Sequence, residues 1–147
     1  MQFEGIYTPV ITPYHNDFSL NQDALEATIN RLIEAGVHGL IIAGTTGEYY
    51  AQSTDERVEM MSVAHEIIAG RRPMIVGTGA IRTEDAVLCA KAAKKAGADA
   101  LLIATPPYAY PTGGEVALHA LAMARQADLR AVTSHCTGGM CGAVGRV

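Results

Sequence analysis

The sequence is short of lysine. Among its 147 residues lysine stands only at Lys91, Lys94 and Lys95, and the formal net charge is −4. With no basic cluster to neutralise phosphates, nucleic acid is not an expected partner. The three lysines sit together at helical spacing, as on a solvated helix face. Long apolar runs are missing as well: none approaches the ~18 residues of a membrane span, so no membrane partner is expected. The opening "MQFEGIY" lacks the basic and apolar regions of a secretory signal, and the three cysteines have no framework spacing. The expected location is cytoplasmic. No Gly-x-Ser-x-Gly elbow anchors a hydrolase triad, and the glycine spacings fit neither a P-loop nor a dinucleotide fingerprint. His135, Cys136 and Cys141 cluster, but in no common zinc pattern, and neither metal nor cofactor is expected.

What is present is a globular composition, 49% hydrophobic and 18% charged, in a chain about the length of one domain. Two segments repeat each other. "EAGVHGLIIA" (34–43) and "KAGADALLIA" (95–104) each read as a helix end, a glycine stop and a buried strand. "GRRPMIVGTGA" (70–80) places a third such unit between them. The spacing is about 30 residues per unit, the length of a βαβ step.

Apolar stripes supply the helices. Leu25, Ile29, Leu32 and Ile33 form one; Val58, Met61, Ala64 and Ile68 a second; Val87, Ala90 and Ala93 a third; Val116, Ala120, Leu121 and Ala124 a fourth. Ser53 followed by Glu56 reads as a capping box opening the second helix. The pattern predicts strands over 5–12, 39–43, 73–77 and 100–104, and helices over 22–35, 54–69, 83–96 and 114–127. Leu129 to Thr133 could begin a fifth strand. Strict alternation implies a parallel sheet with right-handed crossovers. An open doubly wound sheet and a (β/α)8 barrel both fit that order. Polar or glycine-rich groups close every strand, as in "TPY", "GTTGE", "GTGA" and "TPPYAY". That favours a barrel, whose active site collects at the strand ends.

The strand-end chemistry centres on "LIIAGTTGEYY" (40–50). Thr45 and Thr46, bracketed by Gly44 and Gly47, suit a carboxylate or a developing oxyanion, because hydroxyls and amides donate without full charge. A tight turn capped by the threonines explains the same residues. Tyr108, after the stiff "TPP", can relay a proton at a strand end, or simply pack at a subunit contact. Tyr110 carries the same two readings.

Taken together, "GIYTPVITPY", "GTTGE", "GTGA" and "TPPYAY" resemble the dihydrodipicolinate synthase/N-acetylneuraminate lyase family of class I aldolases, over residues 3–129. The resemblance implies an α/β fold, the first four βα units of a (β/α)8 TIM barrel. It implies a lyase that holds pyruvate or another 2-keto acid as a Schiff base on a lysine, with no cofactor. Carried over by position, Thr46 binds the keto acid's carboxylate beside Gly44 and Gly47. Thr45 links two tyrosines in a proton relay, and Tyr108 is the relay tyrosine that reaches into a neighbouring subunit's site. Full-length members are commonly homo-oligomers, tetramers built from tight dimers.

The resemblance ends after Leu129. Where the family has a Tyr-Asn-x-Pro-x-Arg motif, this sequence has Ser134 for the tyrosine, His135 for the asparagine, Thr137 for the proline and Gly139 for the arginine. Asp and Glu disappear from the same point. Residues 1–129 therefore form the expected lyase half-domain, and 130–147 an irregular tail such as a shifted reading frame would produce. The Schiff-base lysine belongs to a sixth strand that this sequence does not carry, so no lysine here is expected to form the imine, and the chain is expected to be inactive alone. Half a barrel leaves an open sheet edge and an uncovered inner face. The alternative readings are a non-catalytic half-barrel module for binding or assembly, and an open-sheet binding protein without enzymatic relatives.

Overall fold

The computed structural model describes residues 4–107, 109 and 111–133. The elements run β1 (Tyr7–Pro9), α1 (Gln22–Glu34), β2 (Gly39–Ile42), two single 3-10 turns (Thr45–Gly47 and Tyr49–Ala51), α2 (Thr54–Ile68), β3 (Met74–Gly77), α3 (Thr83–Lys95), β4 (Ala100–Ile103), α4 (Gly113–Ala127) and β5 (Arg130–Thr133). All four ladders are parallel, and the strand order is β1-β2-β3-β4-β5. Sequential order with no reversal separates the two closures left open above. A doubly wound sheet turns back at a switch point, whereas a barrel winds in one direction. This chain winds in one direction, as five strands and four helices of a barrel.

Register divides the sheet into two faces. Leu40 pairs with Met74, Ile42 with Val76 and Val76 with Leu101. These residues and Ile103 join one apolar cluster with Leu25 and Ile29 of α1, Met60, Met61, Ala64 and Ile68 of α2, Ala90 and Ala93 of α3, and Met123 of α4. The alternate positions form the other face. Ile41, Leu102 and Val132 there are only half-buried, and Ile75 and Ala100 lie outside the main cluster. Helices thus cover one face; on the other, Ile75 and Ala100 are still buried while Ile41, Leu102 and Val132 stay half-exposed.

Local chemistry explains the helix limits. Ser53 and Glu56 exchange both capping-box bonds, at 3.3 and 2.6 Å. Thr112 and Glu115 do the same for α4, at 3.4 and 2.7 Å, where the sequence offered only a break. At the other ends, Gly36 and Gly97 have φ of 84° and 90°, left-handed values that favour glycine.

Three expectations change. Strand β1 spans only Tyr7–Pro9, paired with Gly39, Leu40 and Ile41, although Val10 N–H still donates to Ile41 O at 2.9 Å. Val58 is 38% exposed, and Met60 with Met61 fills the α2 core instead. The buried line of α4 is Val116, His119, Met123 and Ala127, so Leu121 faces outward. The fifth strand that Leu129 to Thr133 could begin does form, over Arg130–Thr133, and its four residues pair with β4. Residues 134–147, expected to belong to an irregular tail, lie outside the described residues.

Candidate functional site

Parallel strands bring their C-terminal ends to one edge, and that edge collects the threonines the sequence singled out. After β2, Ala43 takes a left-handed φ of 52° and swings the chain over the end of β3. A side chain at Gly77 would run into the Ala43 carbonyl, so that glycine is a requirement of close approach. Thr45–Gly47 then form a 3-10 turn, closed by Gly47 N–H to Gly44 O and Glu48 N–H to Thr45 O, both 3.0 Å. Glu48 leaves the turn with φ of 57°.

Thr45 and Thr46 are exposed, while Gly44 and Gly47 are buried. Among the described residues neither threonine hydroxyl makes a hydrogen bond. The capped-turn reading is therefore not what these hydroxyls do: the turn closes through backbone groups, and the two hydroxyls remain available. Gly47 is held against β1, since a Cβ there would lie 2.9 Å from Val10 O and 3.3 Å from Thr12 Oγ1. Gly44 meets only ordinary contact, with Ile41 at 3.4 Å.

Residues outside the turn hold it in place. Thr12 Oγ1 donates to Gly47 O at 2.7 Å. Gln52 Nε2 donates to the same carbonyl at 3.1 Å, to Thr12 Oγ1 at 3.1 Å and to Tyr14 OH at 2.9 Å. Behind them, Arg57 donates to Gly77 O at 3.0 Å and Gly79 O at 3.1 Å, with its guanidinium 5.2 Å from the centre of the Tyr49 ring. Gly79 leaves room for that ring, because a Cβ would meet the phenol at 2.6 Å. These ties join residues 5 to 40 positions apart, a separation that no local motif encodes.

The neighbouring strand ends are more buried. Thr78 Oγ1 reaches Met123 Sδ at 3.4 Å, and among the described residues Thr105 Oγ1 is buried without a partner. His119 Nδ1 lies 2.9 Å from Thr83 Oγ1, and burial pushes its pKa below the ordinary 6.5, favouring the neutral ring. Burial pushes the Cys89 thiol up, the nearby Arg57 charge opposing it, which disfavours a reactive thiolate. Tyr108 and Tyr110 lie outside the described residues. Among the described residues no group of three His, Cys, Asp or Glu side chains could hold a metal ion, and no helix is long and apolar enough to cross a membrane. His135, Cys136 and Cys141 lie outside the described residues.

Chemically, the edge offers two free hydroxyls and a glycine-flanked turn, a donor set suited to a small carboxylate. The chain is similar to known proteins over most of its length. The sequence profile described as the dihydrodipicolinate synthetase family matches residues 2–134. The 4-hydroxy-tetrahydrodipicolinate synthase of Methanoculleus marisnigri is 39% identical over 119 residues, which cover 80% of this chain and 41% of that protein. The chloride-inhibited dihydrodipicolinate synthase of Acinetobacter baumannii, complexed with pyruvate, superposes with a TM-score of 0.89 at 32% identity, over 95% of this chain and 48% of that one. A prophage protein of the dihydrodipicolinic acid synthase family from E. coli K12, also in complex with pyruvate, gives 0.86 at 28% identity, over 90% and 45%. The chain spans about half the length of the relatives it matches. It belongs to the dihydrodipicolinate synthetase family.

Proposed function

We propose that this chain carries the carboxylate-binding half of a lyase site for pyruvate or another 2-keto acid. The observation that carries the reading is the Thr45–Gly47 turn, whose two hydroxyls are exposed and unpartnered at the strand-end edge of the sheet. The pyruvate complexes of two similar structures support the ligand class. Thr46 donates to the keto acid's carboxylate, with Gly44 and Gly47 keeping the backbone close. Thr45 and Tyr108 pass the proton that moves when the keto acid's carbonyl is converted.

In a class I aldolase that conversion is imine formation: a lysine nitrogen attacks the carbonyl carbon and water leaves. The lysines of this chain do not fit the role. They occupy α3 at Lys91, Lys94 and Lys95, all exposed. Helix α3 returns antiparallel to the strands, so its last turn lies at the opposite edge of the sheet from Thr46. Lys94 Nζ is engaged there with the Asp128 carbonyl at 3.0 Å. We infer that the chain alone binds a keto acid without turning it over, in the cytoplasm, and that full-length relatives work as homo-oligomers.

Pyruvate titration followed by backbone amide shifts tests the reading. Saturable shifts at Gly44–Glu48, with no borohydride-trapped adduct, are expected. An adduct on any of the three lysines would contradict the assignment, and so would the absence of shifts. The open sheet face at Ile41, Leu102 and Val132 favours a second reading, a half-barrel module that binds or assembles without catalysis. Pyruvate binding that survives Thr46→Val, or no binding at all, would favour that module.

A further inference from the structure

The most unusual polar group beside the site is the amide of Gln52, between the second 3-10 turn and the cap of α2. Its two N–H groups face three acceptors, one bond being shared, while its oxygen, Oε1, is buried with no partner among the described residues. A buried unpaired carbonyl is destabilising, so the amide is not there for stability alone. Flipping it would not help. Gly47 O can only accept, and the Thr12 hydroxyl already gives its proton to Gly47 O at 2.7 Å. A reversed amide would turn Oε1 toward both of those oxygens and gain one phenol donor, that of Tyr14. The observed orientation is thus fixed by its targets, two loops belonging to adjacent strands.

We propose that Gln52 is a positioning residue: by holding the Gly47 carbonyl against the β1 end, it sets the angle at which the Thr45–Gly47 turn presents its hydroxyls. This rests on the reading of Thr46 as the carboxylate donor. Three observations converge on Gly47. The contact with Val10 O admits only glycine without movement, Thr12 donates to its carbonyl, and Gln52 donates to the same oxygen. Two donors on one oxygen restrain the Gly47–Glu48 peptide plane, and the Thr46–Gly47 peptide joins it at the Gly47 Cα, with Gly47 N–H itself tied to Gly44 O at 3.0 Å. Gln52 touches no substrate in this account. It acts through Gly47.

The test compares Gln52→Leu, which keeps bulk and removes the donors, with Gln52→Glu and Thr12→Val in the full chain, using pyruvate as probe. Gln52→Leu is expected to bind pyruvate at least tenfold more weakly at neutral pH while melting no earlier than wild type, since the unpaired oxygen goes with the donors. Thr12→Val, which removes the second donor to the same carbonyl, is expected to weaken binding in the same direction. Gln52→Glu is expected to bind poorly at neutral pH, where a carboxylate faces oxygens. It should regain affinity as acid converts it to a carboxylic acid that donates once. Unchanged affinity in Gln52→Leu, or a Gln52→Glu affinity that follows the wild-type pH profile, overturns the proposal. If wild type binds no pyruvate, the keto-acid reading fails by itself, and Gln52 is judged by hydrogen exchange. Gly47 and Glu48 amides must then exchange at least tenfold faster in Gln52→Leu, and equal rates overturn the role.

Discussion

The helix-covered face of the sheet and its C-terminal edge belong to the same strands, yet they are held by different forces. On the covered face Leu40, Ile42, Met74, Val76, Leu101 and Ile103 interlock with apolar residues from four helices, and burial of area is what counts. At the edge there is little apolar area to bury. Thr12, Gln52, Arg57 and three glycines hold the backbone by hydrogen bonds and close approach. The comparison teaches that the packed part of a strand and the part that presents polar groups are separate stretches, a few residues apart. Leu40 and Ile42 anchor β2 in the core, and Thr46, four residues beyond Ile42, is exposed.

Mutations on either side sharpen that contrast. The largest effect belongs to the covered face. Leu101→Ala removes a fully buried side chain and is expected to cost about 2–5 kcal/mol in chemical denaturation. Gly47→Ala comes next. Its methyl would sit 2.9 Å from Val10 O, a backbone atom, and the forced shift is expected to cost about 1–3 kcal/mol and weaken pyruvate binding as well. Thr46→Val should do the reverse of Leu101→Ala. Thermal melting stays within about 0.5 kcal/mol of wild type, as for exposed positions, while pyruvate affinity falls by about tenfold to a hundredfold. If Thr46→Val lowered stability as Leu101→Ala does, the division between face and edge would fail.

The smallest effect is a pH slope. His119 has its pKa lowered in the folded chain by burial, so the unfolded chain binds the proton first. Its contribution is complete above the unfolded value of 6.5 and is lost as pH falls from there through the lowered folded value. Glu56 and Glu115 add a later loss. Hydrogen bonds from Ser53 and Thr112 lower both pKa values, so their stabilisation is present above 4.5 and fades as pH falls below it. Denaturation curves between neutral and mildly acid pH should steepen first near 6.5, and His119→Leu should remove that first step.

Much of the fold was legible because its signals are local. The helices over 22–35, 54–69, 83–96 and 114–127 were marked by stripes, glycine stops and the Ser53–Glu56 box, and they agree with the observed elements to within a residue. The α4 stripe was misread because its buried line runs through His119, a residue that hydropathy counts as polar. Burial there is made tolerable by the Thr83 hydroxyl, a partner 36 positions away. The site was half legible. Gly44, Thr45, Thr46 and Gly47 announced themselves as a break in an apolar run. Gln52 and Arg57 did not, and Thr12 showed only within the "TPY" strand end, because each acts through a contact between different strand ends that sequence spacing does not reveal. Gly77 and Gly79 were visible as a motif, but their reason, room for the Ala43 carbonyl and the Tyr49 ring, needed the structure.

The most direct measurement is an amide-resolved pyruvate titration of the wild-type chain beside Thr46→Val. The account predicts saturable shifts confined to Gly44–Glu48 and the adjacent strand ends in wild type, and their loss in a Thr46→Val chain that melts normally. Equal responses in the two proteins, or no response in either, would contradict the claim that this turn is a keto-acid carboxylate site.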